Sequence, residues 1–272
     1  MQQGQILNDI GNAYANATVP WLETLLPMAQ RLFLLLATIE LIWSGIWWAM
    51  ATRQDEIVLV RLLRKVVTIM FLYTVVLFSP SWIPMIVSSF IQAGQAASGF
   101  DSLNPSTVLQ QGIDLSVGLF DQALDITGFW KMPLWVLVVP IVVVVSFAVI
   151  AGILLVTLIE SFVVIGGGVL LLGFAGSRWT IGFAEGYLVY AVRVGVKLFV
   201  IYLLIGIGMS LPETWLATLE TVNPGDPRFF MEVMGGSLIF AMIIWRVPEF
   251  TASMLGSRAG FGMERAYSTS DE

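Results

Sequence analysis

Glu40 is an acid set at the centre of an otherwise apolar stretch, residues 29–50. A carboxylate at mid-bilayer costs roughly 3 kcal/mol on insertion scales, so it must face other helices, a second subunit or water rather than lipid. Two roles meet that requirement: a structural carboxylate, hydrogen-bonded or protonated, and a group that takes part in transport or gating. Glu160, at the foot of a second apolar stretch, marks an interface with water. Just downstream Gly166, Gly167 and Gly168 are consecutive. Each weakens a helix by roughly 1 kcal/mol relative to alanine, and what each offers is close backbone approach or positive φ. The cluster suits tight helix packing equally with a pore or hinge. Glu185, Arg193 and Lys197 fall on one stripe of i+4 steps. Asp114, Asp121 and Asp125 share a face of another helix, either a plain solvated face or a docking surface for an extracytoplasmic partner.

The remaining chemistry is narrow. The chain has 272 residues, no cysteine and no histidine. Thiolate nucleophiles, disulfides, Cys-type zinc sites, Ser-His triads and imidazole relays are therefore excluded. No G-x-x-x-x-G-K-[ST] loop occurs, so nucleotide hydrolysis is not expected of this chain. The expectation is a non-enzymatic protein with no cofactor and no metal, whose energy comes from partners or a gradient. A net charge of −6 argues against a sequence-independent grip on DNA, which needs clustered Lys and Arg.

These residues need a membrane around them. Of the residues 57% are hydrophobic and only 12% charged, about half the usual charged share, and the mean hydropathy is +0.86. The predicted fold is an all-α polytopic membrane protein with about five transmembrane helices, amphipathic interfacial helices and a Gly-rich re-entrant or bent segment.

Residues 1–27 form an extracytoplasmic segment whose amphipathic helix, over 5–19, ends at Pro20. The stretch before Arg31 lacks the basic start of a cleaved signal, so the first span, 29–50, is expected to remain in place. Residues 28–91 hold spans 1 and 2 with a basic connection between them. Span 2 covers about 66–82, is stopped by Ser79, Pro80 and Pro84, and lets the stems of Arg64 and Lys65 reach headgroups. Residues 92–132 form an acidic external loop in which Asn104-Pro105 reads as a cap opening a helix to about Ile126. Leu109, Ile113, Phe120 and Leu124 should share its apolar face.

Residues 133–246 hold spans 3 to 5: 133–158, 198–215 and 229–245. Between spans 3 and 4 lie the glycine-rich 161–176 and an amphipathic, cytoplasmic 177–197. A cytoplasmic tail, 247–272, completes the chain. No internal repeat of the kind found in secondary transporters is visible.

Charge orients the arrangement. With the N-terminus outside, Arg53, Arg61, Arg64, Lys65, Arg178, Arg193, Lys197, Arg246, Arg258 and Arg265 lie inside, ten of the 13 basic residues. Were 161–176 a full extra crossing, Arg178, Arg193 and Lys197 would fall outside. A segment that stays on the inner side keeps the rule, and needs protein or water over its backbone.

Three stretches carry a family resemblance: Leu32-Phe-Leu-Leu-Leu-Ala-Thr-Ile-Glu-Leu-Ile-Trp43, Gly173-Phe-Ala-Gly-Ser-Arg-Trp-Thr180, and Tyr190-Ala-Val-Arg-Val-Gly-Val-Lys197 running on to Gly208. Over roughly residues 5–250 the chain resembles the TrbL family, the polytopic inner-membrane component of conjugative type IV secretion systems, related to the VirB-type channel proteins. Glu40, Arg178, Trp179, Thr180 and Lys197 are the positions matching its motifs.

The resemblance implies a multi-pass protein of the bacterial inner membrane, N-terminus periplasmic and C-terminus cytoplasmic, assembled as a homo-oligomeric ring among membrane lipids. It implies contacts with the pilin, a stalk-tip protein, the inner-membrane scaffold and ATPases, transient contact with a DNA-relaxase cargo, and a role as a channel or assembly-platform component in DNA-protein transfer, pilus biogenesis or both. Many members carry a long polar C-terminal extension, whereas here the sequence stops soon after Arg265. A stand-alone permease for a small solute is the alternative.

Overall fold

The computed structural model describes residues 5–50, 58–99, 103–127, 134–219 and 227–256, and among these every regular element is helical. In chain order they are α1 (Ile6–Met50), α2 (Val58–Ser98), α3 (Pro105–Thr127), α4 (Leu134–Gly167), α5 (Val169–Leu172), a 3-10 turn (Gly173–Gly176), α6 (Ile181–Gly208), α7 (Ser210–Leu219) and α8 (Pro227–Gly256). Among the described residues five stretches are long and apolar enough to cross a membrane: Ile6–Met50, Leu59–Ser98, Leu137–Gly167, Ile181–Trp215 and Pro227–Met254. The chain is a multi-pass, all-α membrane protein.

The helices run further than the prolines suggest. The 45-residue α1 passes through Pro20 and Pro27, and the 41-residue α2 through Pro80 and Pro84. At ~1.5 Å per residue they reach about 66 and 60 Å, twice a hydrocarbon core of about 30 Å. The expected stops at Pro20 and at Ser79, Pro80 and Pro84 are therefore corrected. A proline removes one hydrogen bond, but ending a helix in an apolar medium strands several backbone groups. The lost bond is also replaced locally: Pro80 has no N–H for the Val76 carbonyl, and the neighbouring Ser79 Oγ donates to that carbonyl at 2.8 Å.

The cap of α3 is as predicted. Asn104 Oδ1 accepts from Thr107 N at 2.9 Å, and Thr107 Oγ1 accepts from Asn104 N at 3.1 Å, a reciprocal clasp. The buried face is not the expected one: Val108, Leu115 and Leu119 are enclosed, whereas Leu109, Ile113, Phe120 and Leu124 are only half-buried. Gly112 shifts the contact, because a Cβ there would lie 2.2 Å from Phe147 Cβ, and the helix presses that flank onto α4.

The glycine-rich stretch is bent rather than a straight crossing. α4 runs on to Gly167, the helix breaks at Gly168, and α5 with the 3-10 turn leads to Ser177, whose backbone is extended (φ −137°, ψ 143°). α6 then runs unbroken through 197, so no helix boundary separates 177–197 from the apolar span beginning at Leu198.

The fold clusters into two compact units. One draws on Met1–Ala13, Ser89–Ile159 and Gly195–Ser253, with Leu115, Phe147, Ile150, Leu154 and Ile201 at its core. The other draws on Tyr14–Ser88, Glu160–Val194 and Met254–Glu272, and is built on Ala29, Phe33, Val76, Leu172 and Ile181.

Candidate functional site

The second unit contains the site built around Glu40. Its carboxylate is fully buried, as is the side chain of Lys65 on α2, whose Nζ lies 2.9 Å from Glu40 Oε1. Ser44, one turn along α1, accepts a hydrogen bond from the same Nζ. The other carboxylate oxygen, Oε2, accepts from Ser177 Oγ at 3.0 Å. Arg178 adds a second cation, with Nε 3.6 Å from Oε1 and about a third of its side chain exposed.

Glycines permit this approach. A Cβ at Gly173 would lie 2.7 Å from the Ala29 carbonyl oxygen, and one at Gly176 only 2.3 Å from the Phe33 carbonyl oxygen. Neither clash could be relieved by a side-chain rotation, since both are with backbone. The stretch therefore lies directly on α1 and delivers Ser177 to Glu40. Thr180 Oγ1 donates to the Phe174 carbonyl at 2.7 Å, closing the turn, and Thr180 N and Ile181 N donate to the Ser177 carbonyl at 3.1 and 3.0 Å.

Tryptophans border the ions. Lys65 Nζ is 5.7 Å from the Trp48 ring centroid, and the Arg178 guanidinium carbon is 5.3 Å from that of Trp179. Trp179 in turn packs edge-on to Trp43 at 5.6 Å. The arrangement ties α1, α2 and the 177–180 turn through charge-assisted hydrogen bonds in a medium where an unpaired ion is costly. No group of three acidic side chains that could hold a metal ion occurs among the described residues.

The other residues singled out by sequence are dispersed. Glu160 Oε1 accepts from Tyr190 OH at 2.5 Å. A Cβ at Gly166 would lie 2.9 Å from the Thr18 carbonyl oxygen, and one at Gly168 2.0 Å from the Tyr187 ring, so both are sites of close packing. Gly167 differs: a Cβ there meets nothing within 4 Å.

Glu185 is partly buried and has its own contacts, and Arg193 Nε is enclosed without a hydrogen-bond partner among the described residues. Lys197 lines a groove with α4 and α8. Asp114 and Asp121 are exposed, Asp114 accepting from Gln110 Nε2 at 2.8 Å; the side chain of Asp125 lies outside the described residues.

Sequence reasoning missed Lys65, Ser44 and Ser177. Lys65 does not reach headgroups but is fully buried beside Glu40. The usable signal was Glu40 and Ser44 one turn apart, a polar pair on one face of an apolar helix that requires a donor from elsewhere.

The family description "TrbL/VirB6 plasmid conjugal transfer protein" matches residues 37–247, a stretch that contains Glu40, Lys65 and the 173–180 turn. The chain belongs to the TrbL/VirB6 family. Two curated relatives are each 28% identical over 97% of this chain: "Conjugal transfer protein TrbL" of Rhizobium radiobacter and "Probable conjugal transfer protein TrbL" of Sinorhizobium fredii (strain NBRC 101917 / NGR234). The chain spans 66% and 67% of their respective lengths. For a TrbL/VirB6 chain, the Glu40 cluster thus joins two of the three stretches that carried the family resemblance.

Proposed function

We propose that this chain is an inner-membrane assembly-platform subunit of a conjugative type IV secretion system. Copies meet as a ring that supports DNA-protein transfer and pilus biogenesis. Its N-terminus is periplasmic and its C-terminus cytoplasmic, the orientation that satisfies the positive-inside rule. Pilin, stalk-tip protein, scaffold and ATPases are its partners, and the ATPases supply the energy.

The observation that carries the platform role is the enclosure of Glu40. Its carboxylate is fully buried and both oxygens face partners from the same chain, so this intramembrane acid fastens helices rather than lining a route. Arg178, Trp179 and Thr180 hold the same turn, and Glu160 serves a similar fastening at Tyr190. Any passage for cargo then runs between copies. On α1, Leu35, Ile39, Ile42, Ile46 and Trp47 are each more than half exposed, giving copies or lipid a broad apolar face.

The test uses the absence of native cysteine. In cells carrying the complete transfer system, Ile42→Cys and Leu35→Cys are cross-linked in native membranes while conjugation frequency and pilus number are scored. A ladder ending at one closed size, with transfer lost on cross-linking, is expected. Monomer only, together with solute flux by the reconstituted chain, would overturn the reading in favour of a permease.

A further inference from the structure

A groove in the first unit combines an apolar body with a charged end. Its walls are α4, with Val149, Gly152 and Val156, and α8, with Trp245 and Glu249, and Lys197 of α6 completes it. Its volume is about 330 Å³, within the usual range for small-molecule sites. The α4 wall is recessed at Gly152, where a Cβ would meet nothing within 4 Å. Val156 is 63% and Trp245 67% exposed, so the groove opens on the outer surface of helices that cross the membrane. An occupant arrives from the lipid side.

The polar end selects among lipids. A cation and an anion, Lys197 and Glu249, both line the groove, so its complement carries one anion and one cation above an acyl chain. Phosphate suits a lysine ammonium as a point charge, and a primary ammonium donates hydrogen bonds to a carboxylate. Trp245, exposed on the groove's wall, is the residue type that favours the headgroup level. A glycerol headgroup would set a second negative charge near Glu249 and bring no cation of its own to it. A choline would bring a cation that has no N–H to donate.

We propose that this groove holds one phospholipid with a phosphoethanolamine headgroup. Its phosphate sits on Lys197, its ammonium on Glu249, and one acyl chain lies along Val149, Gly152 and Val156.

The experiment strips lipid from the full chain in mild detergent. It then titrates phosphatidylethanolamine, phosphatidylglycerol and phosphatidylcholine of identical chains, scoring bound lipid by native mass spectrometry. The ethanolamine lipid should bind about tenfold tighter than either other, the effect of one added charge-assisted hydrogen bond. Glu249→Gln should erase that preference and Glu249→Lys should turn it toward phosphatidylglycerol.

Gly152→Leu, which favours the helix and fills the recess, should abolish binding of all three. Lys197→Gln should weaken all three alike by about tenfold. Lys197 has further contacts in the chain, so the exchange of preference in Glu249→Lys, rather than a loss, carries the test. Equal binding of the three lipids, or binding indifferent to Gly152→Leu, would overturn the proposal. So would a change of oligomer size in Gly152→Leu with no lipid bound at any concentration, which would make the groove a seat for a second copy.

Discussion

Replacing Lys65 by methionine leaves the Glu40 carboxylate buried with its principal counter-ion gone. At 2.9 Å and an effective dielectric of about 20, two unit charges attract by about 6 kcal/mol. Desolvation of both ions offsets most of that, so the net value of the pair is small, yet removing one partner exposes the whole penalty of the other. A loss of about 3–5 kcal/mol is expected for Lys65→Met, and a similar loss for removal of the acid alone, Glu40→Leu, which strands Lys65.

The double variant Glu40→Leu with Lys65→Met removes both charges at nearly constant volume and should return to within about 1 kcal/mol of the natural chain. Arg178→Gln is expected to cost less than about 1 kcal/mol, because that side chain is a third exposed and its Nε is 3.6 Å away. Unfolding in mixed micelles, followed by tryptophan emission, reads all four, with Trp48 and Trp179 beside the cluster as reporters. Additive losses, with the double variant the least stable, would refute the paired-ion account. So would a Lys65→Met variant within about 0.5 kcal/mol of the natural chain, the size of an ordinary surface substitution.

The glycines separate by the same measurement. Gly176→Ala forces a Cβ against the Phe33 carbonyl oxygen and should cost about 1–3 kcal/mol, whereas Gly167→Ala should be neutral or gain up to about 1 kcal/mol. Loss of conjugation in Gly167→Ala with stability intact would instead make that position a hinge. Topology is checked with an impermeant thiol reagent on single cysteines: Asp121→Cys should react from outside, Glu185→Cys should not, and external reaction at Glu185 would overturn the five-span orientation. Ser116→Cys should resist labelling, since Ser116 is buried and donates to the Pro140 carbonyl at 3.0 Å. Tyr190→Phe removes the donor to Glu160 and should lower stability by about 1 kcal/mol in the same unfolding assay.

What the sequence disclosed was local. The clasp at Asn104 involves residues three apart, so its chemistry can be read from the chain. The break at Gly168 was equally visible, as three glycines in a row cannot sustain a good helix. The prolines misled because the rule that they end helices assumes water ready to receive the freed backbone groups. In an apolar setting Ser79 does that work for Val76, and the helix continues. The Glu40 partner was invisible for another reason: Lys65 is 25 residues away on a different helix, beside a run of arginines that made it look like an interfacial cation. Periodicity places a side chain on a face, but which cation crosses to meet it depends on how two helices pack.

That dependence also explains why so few residues fix the arrangement. Between apolar helices surrounded by lipid there is little hydrophobic gain from association, because the lipid is as apolar as the partner. Specific position must come from contacts that lipid cannot imitate. The second unit supplies two kinds side by side: backbone-close glycines at 173 and 176, and a buried ion pair with hydroxyls at 44 and 177. Each needs the other. The glycines bring Ser177 within reach of the carboxylate, and the carboxylate gives the bent stretch a reason to stay on α1 rather than straighten. A variant that restores a side chain at Gly176 should therefore weaken the Glu40–Lys65 coupling as well as the packing. The double-mutant cycle measured in a Gly176→Ala background should return a smaller interaction energy than in the natural chain, whereas an unchanged one would show that the two devices act independently.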